Sequence, residues 1–317
     1  MVSRGGTEMY VYDLALALQK LGHKPYVYTP FVGPLGRELE GLTIPVFNSL
    51  ENLAFEPDII HGHHHLPTMT ALTRFPNVPA IFFCHGWTPQ EEGPPIFPRI
   101  LRYVAVSETC YDRLIVNGIP EKRIQIILNF ADMDRFKLRS NLPEKPKKAL
   151  IFSNSASEDS WIPIVRQACE KMDIQLDIIG ARAQKSVESP EMVLRDYHLV
   201  FAVGKAALEA LSVGLSLIMC DYGRIGPMVS MDNVHAMRQL NFGLRGLTSP
   251  ISIEAVCREM STYDAEDARR VSDYIRESAS KSQTVNQLVA LYQSVVIEFH
   301  ELKGIENTHA ELNAISR

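Results

Sequence analysis

The sequence predicts an α/β protein of two domains, in each of which short buried strands alternate with helices. Three observations lead to this class. Residues 198–221 read as strand, glycine turn, short helix, glycine stop and strand, which is one βαβ unit. Short apolar segments of the same kind recur before this unit. A polar, proline-bearing stretch at 137–148 separates two halves of similar organisation and indicates a domain boundary.

Length and composition are those of an ordinary globular protein. The 317 residues are enough for two domains with separate cores. A net charge of -5 argues against a nucleic-acid binder. No apolar run is long enough to span a membrane, although peripheral membrane contact stays open. Because Met1 precedes a polar segment rather than a signal peptide, and the five cysteines are scattered, we expect a cytoplasmic protein with reduced thiols.

The first domain opens on a glycine loop, residues 4–7, followed by a helix over 9–21 for which Thr7 is the predicted N-cap. Gly22 ends this helix, and a strand begins at Pro25. No strand precedes the loop, although a doubly wound domain would have its first central strand there. We therefore expect a late start, with that strand missing.

The rest of the first domain alternates regularly. Each predicted strand is short and apolar and ends in polar or glycine residues: 44–47, 58–61, 80–84, 103–106 and 124–128. Ser107 is the predicted N-cap of a helix over 108–116.

The second half repeats the pattern. Strands are predicted at 149–153 and 176–179 and helices at 162–172, 190–196, 252–260 and 265–299, the last broken near 278–283. The domains we expect are an N-terminal Rossmann-like domain (1–140), a C-terminal Rossmann-like domain (141–280), a C-terminal helix (281–302) packing back on the first domain, and a polar tail (303–317).

The βαβ unit carries the clearest candidate site. Lys205 lies in the first turn of the predicted helix, where its charge opposes the helix dipole unless an anion binds there. Glu209 lies one turn later, and its side chain leans back toward the same end, where a carboxylate suits the hydroxyls of a ribose. The alternative is a solvated lysine and a surface glutamate on an ordinary helix.

Histidines form a second candidate. The run HGHHH, residues 61–65, suggests a metal site, but neighbouring side chains on a strand point to opposite faces and cannot all bind one ion. We therefore favour no metal, with His61 and His63 lining a crevice or capping the strand end. His85 follows a predicted strand directly, which favours a role in a site.

Several motifs, in a shared order, resemble the GT-B glycosyltransferases, and among them the retaining group called glycosyltransferase family four. Gly5-Gly6-Thr7-Glu8 with LALALQKLGHKPYVYT is similar to the GG-x-E loop and first helix of that family. PDIIHGH, VAVSE, the passage IPEKRIQIILNFADMDRF and LEALSVGLSLIMCD are similar to its later motifs. The resemblance covers roughly residues 5–221.

This resemblance implies two Rossmann-like domains facing across a crevice, with a nucleotide-sugar donor bound mainly by the second. It implies that Glu209 binds the ribose and that His85 is the catalytic residue beside the donor sugar. Backbone amides near Gly5, Gly6 and Gly204 would neutralise the diphosphate together with positive side chains. No metal or other cofactor is implied, and transfer would retain the anomeric configuration by a front-face displacement.

Two departures from the family pattern concern the donor. The family carries a glutamate eight positions before Glu209, where this chain has Phe201. Its phosphate-binding Arg and Lys after the first strand of the second domain are replaced by Ser153, Asn154 and Ser155. The substitutes that we predict are Lys205, Arg182 and Arg4, with Arg224 behind them.

The predicted function is transfer of a sugar from a nucleotide-sugar to an unidentified acceptor, which could be a glycan, a lipid-linked sugar or a small molecule. Two alternatives stay open. One is a degenerate GT-B domain that binds nucleotide without turnover. The other is a nucleotide-sugar 2-epimerase, which would need acid and base carboxylates in the crevice.

Overall fold

A computed structural model of the chain describes residues 1, 4–51, 53–185, 187, 189–302 and 311. Two compact units are present: Met1–Leu128 with Ser282–Arg317, and Asn129–Lys281. This division falls earlier in the chain than the predicted boundary at 140, because Ala131 and Phe136 are buried in the core of the second unit. Most of the predicted polar tail, 303–317, lies outside the described residues.

The elements alternate along the chain as predicted. Up to residue 128 they are α1 (Gly6–Lys20), β1 (Val27–Tyr28), α2 (Pro34–Gly41), β2 (Val46–Phe47), β3 (Ile60–Gly62), α3 (His65–Arg74), β4 (Ala80–Cys84), β5 (Ile100–Ala105), α4 (Glu108–Val116) and β6 (Ile124–Ile126). The second unit contains β7 (Lys148–Phe152), α5 (Ile162–Lys171), β8 (Gln175–Ile179), α6 (Pro190–Val193), β9 (Leu199–Ala202), α7 (Gly204–Val213), β10 (Ser216–Asp221), β11 (Arg224–Met228), α8 (Val234–Gln239), β12 (Ser249–Pro250), α9 (Ile253–Met260) and α10 (Ala265–Ser278). The chain then returns to the first unit in α11 (Lys281–Leu302).

The first unit holds two separate parallel sheets within its described residues. Strands β1 and β2 form one, and β3, β4, β5 and β6 form the other in that order. All five residues of β4 are buried, as expected for a parallel strand covered on both faces.

The start of α1 differs from the prediction. Gly5, and not Thr7, is the N-cap, with an extended backbone. The Gly5 N–H donates to the Glu8 carboxylate over 3.1 Å, which is the reciprocal half of a capping box. Thr7 lies inside the first turn, where its hydroxyl donates to Glu92 at 3.3 Å. The helix therefore begins within the glycine loop.

The second unit has one sheet in the order β12-β11-β10-β9-β7-β8. Strands β8, β7, β9 and β10 are parallel, while β11 and β12 add an antiparallel edge that the sequence did not predict. From β7 the chain moves outward to β8, and then returns to β9 on the other side of β7. The carboxyl ends of β7 and β9 therefore form the topological switch point, where open α/β sheets bind ligands.

Each face of this sheet has its own apolar core. Helices α7 and α10 cover one face, through side chains such as Leu208 and Ile275. Helices α5 and α9 cover the other, through side chains such as Ile162 and Val256. The predicted break near 278–283 is confirmed, because α10 ends at Ser278 and α11 begins at Lys281.

Candidate functional site

The candidate donor site is the set of predicted residues at the switch point: Ser153, Asn154, Gly204, Lys205 and Glu209. The first two follow β7, and the other three belong to the start of α7, directly after β9. Residues Ile151 and Phe201 are paired in the two strands, so both strands end side by side. The fold thus brings together residues that lie about fifty positions apart in the sequence.

The loop after β7 is fixed by a close backbone approach. A Cβ atom at Gly180 would lie 1.8 Å from the Ser153 carbonyl oxygen, so only glycine fits there. The Asn154 side chain accepts a hydrogen bond from the Ala181 N–H at 3.1 Å, which ties the loop to the end of β8. Asn154 therefore shapes the site, and its side-chain oxygen is already engaged.

Asp221, which the sequence analysis did not single out, holds the two serines of this loop. Its buried carboxylate accepts hydrogen bonds from the Ser153 hydroxyl at 3.1 Å and from the Ser155 hydroxyl. It also accepts from the Tyr222 N–H at 2.8 Å. The hydroxyl proton of Ser153 is therefore directed at a carboxylate rather than into the site. The only sequence signal for Asp221 was its place at the end of a buried strand.

The start of α7 has the geometry that the sequence predicted for its two ionisable residues. Lys205 and Glu209 have side chains only 10% and 9% exposed, and the Lys205 Nζ lies 3.9 Å from a Glu209 carboxylate oxygen. The same Nζ lies 5.4 Å from the centre of the Phe130 ring, within range of a cation–π contact. The low exposure of both side chains argues against the solvated alternative.

The Gly204 N–H, which the sequence suggested as a diphosphate contact, is bonded within the protein. Its φ of +60° lies in the left-handed region, which favours glycine. Its N–H donates to the Phe242 carbonyl at 2.8 Å, so this amide ties α7 to the segment after α8.

Phe201 lies inside β9 and is fully buried in the apolar core against α5. Only Val203 separates β9 from α7. The position eight residues before Glu209 therefore falls within a buried strand.

The other predicted substitute cations each have surroundings of their own. Arg182 is exposed and lines a pocket of about 410 Å³ on the α5 face, with Trp161 and Tyr222 among its other residues. The Arg224 Nε donates to the Leu247 carbonyl at 3.0 Å. In the first unit, Arg4 forms a two-pronged ion pair with Glu38. Within the second unit, Lys205 is the predicted cation that lies beside Glu209.

Arg238 on α8 is a cation that the sequence analysis missed. Its side chain is 2% exposed, and its guanidinium donates to the Asn129 carbonyl at 2.5 Å. Burial lowers the pKa of Arg238 to about 10. In the segment VHAMRQ, Arg238 has the pattern of an ordinary arginine on a helix surface, so no sequence pattern distinguishes it.

In the first unit, the candidate catalytic residue His85 follows β4 and contacts a second histidine. The His63 Nδ1 lies 2.9 Å from the His85 Nε2, so one of the two nitrogens carries the shared proton. The centres of the Tyr10 and His85 rings lie 5.0 Å apart in an edge-to-face arrangement. His85 is thus held from two sides.

The histidine stack, defined as His61, His63 and His85, continues to α11. The His61 ring stacks on the His63 ring at 4.4 Å, and its Nδ1 lies 2.6 Å from the Tyr292 hydroxyl. Burial lowers the pKa of His61 to about 3, with a further contribution from His85. Burial also holds the pKa of His63 well below its ordinary value. Both rings are therefore neutral at pH 7.

No cluster of histidine, cysteine or acidic side chains suited to a metal ion occurs among the described residues. His64 and His65 lie outside β3, because α3 begins at His65 with His64 as its N-cap.

The Gly5-Gly6 loop lies next to Glu92, whose carboxylate is buried and accepts a hydrogen bond from the Thr7 hydroxyl. Burial raises the pKa of that carboxyl.

Comparison with known families agrees with the motifs. Residues 4–135 match the model of the family described as Glycosyltransferase Family 4. The resemblance to this family is therefore confirmed over residues 4–135. No curated protein matches the sequence. Among the described residues, no helix combines the length and apolar character needed to cross a membrane.

Solved structures show the fold. A glycosyltransferase from Rickettsia africae is similar with a TM-score of 0.68 at 16% identity, over 92% of this chain and 96% of that one. HepE from Anabaena, in complex with UDP-glucose, is similar with a TM-score of 0.66 at 14% identity, over 93% and 97%. Sucrose-phosphate synthase from Thermosynechococcus elongatus is similar with a TM-score of 0.59 at 11% identity, over 93% and 94%. The chain therefore has the GT-B fold.

Proposed function

We propose that this protein transfers a sugar from a nucleotide-sugar to an acceptor, with retention of configuration. The observation that carries the proposal is the buried pair of Lys205 and Glu209 at the start of α7, on the switch point between β7 and β9. A helix start and an ammonium favour a phosphate, while a carboxylate one turn later favours a ribose. Together they suit a nucleoside diphosphate.

In the proposed complex, Glu209 accepts hydrogen bonds from the ribose hydroxyls. Its carboxylate oxygen lies 3.9 Å from the Lys205 Nζ, so the carboxylate and the ammonium are presented at the same end of the helix. Charge on the departing diphosphate grows in the transition state, and a cation fixed beside it lowers the barrier. Ser153, Asn154, Gly204 and Arg182 stay in the proposal as donor-binding residues to be tested singly.

In the first unit we propose His85 as the catalytic residue and Gly5 and Gly6 as backbone contacts of the donor. The hydrogen bond with His63 supports this role for His85, because it fixes the orientation of the ring. The match of residues 4–135 to a glycosyltransferase family supports it further. The proposed reaction requires no metal or other cofactor, and the acceptor stays open among glycans, lipid-linked sugars and small molecules.

The proposed location is the cytoplasm, where nucleotide-sugars are made. The five cysteines support it, since they are unpaired and four of them are buried.

A second candidate function is nucleotide binding without turnover. It is favoured by the engagement of groups that would otherwise meet the donor: the Ser153 hydroxyl bonds Asp221, and the Gly204 N–H bonds Phe242. Calorimetric titration with UDP-, GDP- and ADP-sugars, followed by a hydrolysis assay, separates the two functions. Since HepE was crystallised with UDP-glucose, that donor is tested first. Binding without turnover would favour the second candidate, and binding of no nucleotide would contradict both.

The role of Glu209 has its own test. We expect Glu209→Ala to weaken nucleotide binding by ~2 kcal/mol, the scale of a lost hydrogen bond to a charged group. Glu170→Ala, on the exposed surface of α5, is the matched control and should bind as the parent does. Unchanged affinity in Glu209→Ala would remove this residue from the ribose role.

A further inference from the structure

The second unit contains a buried cation with no opposite charge beside it. Arg238 is 2% exposed and forms no ion pair with any described residue. Its Nη2 donates to the Asn129 carbonyl, and its Nη1 lies 3.5 Å from the Asn241 side-chain oxygen. The Nε–H is buried and meets no acceptor. A buried guanidinium without a counter-charge is costly, because neither water nor a carboxylate offsets the loss of hydration.

Arg238 and the Lys205 of the candidate donor site contact two consecutive residues, Asn129 and Phe130. Its guanidinium contacts Asn129, and the next residue, Phe130, is the ring over which the Lys205 ammonium lies. The segment after α8 also reaches the site, since the Phe242 carbonyl accepts the Gly204 N–H at 2.8 Å. Arg238 and Lys205 therefore approach the short Asn129–Phe130 segment from α8 and α7.

A second unsatisfied group lies in this segment. The Asn129 side-chain oxygen is buried and accepts no hydrogen bond. A donor without an acceptor and an acceptor without a donor thus occur on two residues in direct contact. Buried polar atoms are ordinarily satisfied, so two exceptions beside a candidate site indicate groups that a ligand completes.

We propose that Arg238 is the second cation of the diphosphate site, with its Nε–H donating to a phosphate oxygen while Nη2 keeps its bond to Asn129. The inference rests on the proposed function and adds a residue to it. It also accounts for the absence of the usual arginine and lysine after β7, where this chain has Ser153 and Asn154. The positive charge is supplied from α7 and α8 instead of from that loop. A guanidinium suits the task because its planar fork presents several N–H groups at once.

The test compares ligands that share a base and differ in phosphate. Titration of the parent with UDP, GDP and ADP first identifies a base that binds. The affinities of that nucleoside diphosphate and of the free nucleoside are then measured for the parent, Arg238→Gln and Arg238→Lys. We expect Arg238→Gln to lose at least about tenfold in affinity for the diphosphate and less than about twofold for the nucleoside, since only the former carries the charge. Arg238→Lys should lose less than Arg238→Gln, because it keeps the charge without the fork.

Arg276→Gln is the matched control. Arg276 also belongs to the second unit and also binds main-chain carbonyls, those of Phe136 and Ser212, but at the opposite end of α7. Its replacement should lower the melting temperature without changing the ratio of diphosphate to nucleoside affinity. If Arg238→Gln does not fold, the comparison is made on Arg238→Lys alone.

The outcomes separate the inference from the proposed function. If the parent binds none of the three nucleotides, the proposed function fails and Arg238 has no diphosphate to bind. If the parent binds but the Arg238 variants lose diphosphate and nucleoside equally, Arg238 only supports the fold and the inference is wrong. Unchanged diphosphate affinity in these variants would overturn it as well.

Discussion

Acidification should destabilise the first unit through the histidine stack. The pKa of His61 is about 3 in the folded chain, against an ordinary value of 6.5, because its ring is buried and lies near His85. Between these two values the unfolded chain binds a proton that the folded chain excludes. Stability is therefore fully present above pH 6.5 and is lost as the pH falls below it.

The magnitude follows from the same shift. At pH 5 the unfolded histidine is protonated and the folded one is not, which costs about 2 kcal/mol for His61 alone, at roughly 1.4 kcal/mol per pH unit below 6.5. The pKa of His63 is lowered by the same burial, so its contribution has the same sign. A loss of this size is a large fraction of the stability of an ordinary domain.

The variant that isolates this effect is His61→Asn. The asparagine amide can replace the Nδ1 contact with the Tyr292 hydroxyl, but it does not titrate in this range. His23→Asn, which removes an exposed histidine of the same unit, is the matched control. We expect His61→Asn to lose about 2 kcal/mol of the pH dependence between pH 7.5 and pH 5, and His23→Asn to leave it unchanged.

The assay must report on one unit, since a protein of two units need not unfold in a single step. The chain has two tryptophans, Trp87 in the first unit and Trp161 in the second. In a Trp161→Phe background, the fluorescence of Trp87 follows urea unfolding of the first unit at each pH. An equal pH dependence in the parent and in His61→Asn would refute the claim that His61 is buried in its neutral form.

Two further predictions concern a glycine and a buried acid. Gly180→Ala should destabilise the second unit by about 2 kcal/mol and weaken nucleotide binding, because its Cβ would meet the Ser153 carbonyl oxygen at 1.8 Å. Gly41→Ala is the control, because no atom lies within 4 Å of the added Cβ. Equal melting temperatures of the two variants would contradict the close approach. Glu92→Gln should melt at a higher temperature than the parent at pH 8, with the difference shrinking toward pH 4, because burial raises the pKa of the Glu92 carboxyl and stability is lost as the pH rises through that raised value. A difference that grows on acidification would show that the charged form is the favoured one.

Sequence patterns were most reliable where one physical signal was strong. The strand over 80–84 was predicted at its observed bounds, because a fully buried parallel strand leaves an uninterrupted apolar run. The helix over 108–116 was also predicted as observed, because Ser107 caps it by accepting the Cys110 N–H. The glycine stop of α7 was predicted as well, and Gly214 has the left-handed φ of +95°.

Features that depend on distant partners could not be read from the sequence. The edge strand β11 includes Gly226 and Pro227 and pairs antiparallel with β10, so it carries neither the apolar run nor the alternation of a typical strand. The contact of His61 with Tyr292 joins residues 231 positions apart. Likewise, the hydrogen bond that connects Arg238 to the site residues is to Asn129, 109 positions earlier. Local patterns give the elements, whereas such contacts follow from how the elements pack.

The buried guanidinium of Arg238 supports an anionic ligand independently of any family resemblance. Lys205 and Glu209 form a pair of opposite charges, whereas Arg238, the cation that we propose for the same site, has no acidic partner among the described residues. The start of α7 adds the positive end of a helix dipole to them. Burial of the Arg238 guanidinium has a desolvation cost that no carboxylate in the described part of the unit offsets. A bound diphosphate would supply the missing opposite charge, and so the arrangement that is unfavourable for folding is the one that favours binding.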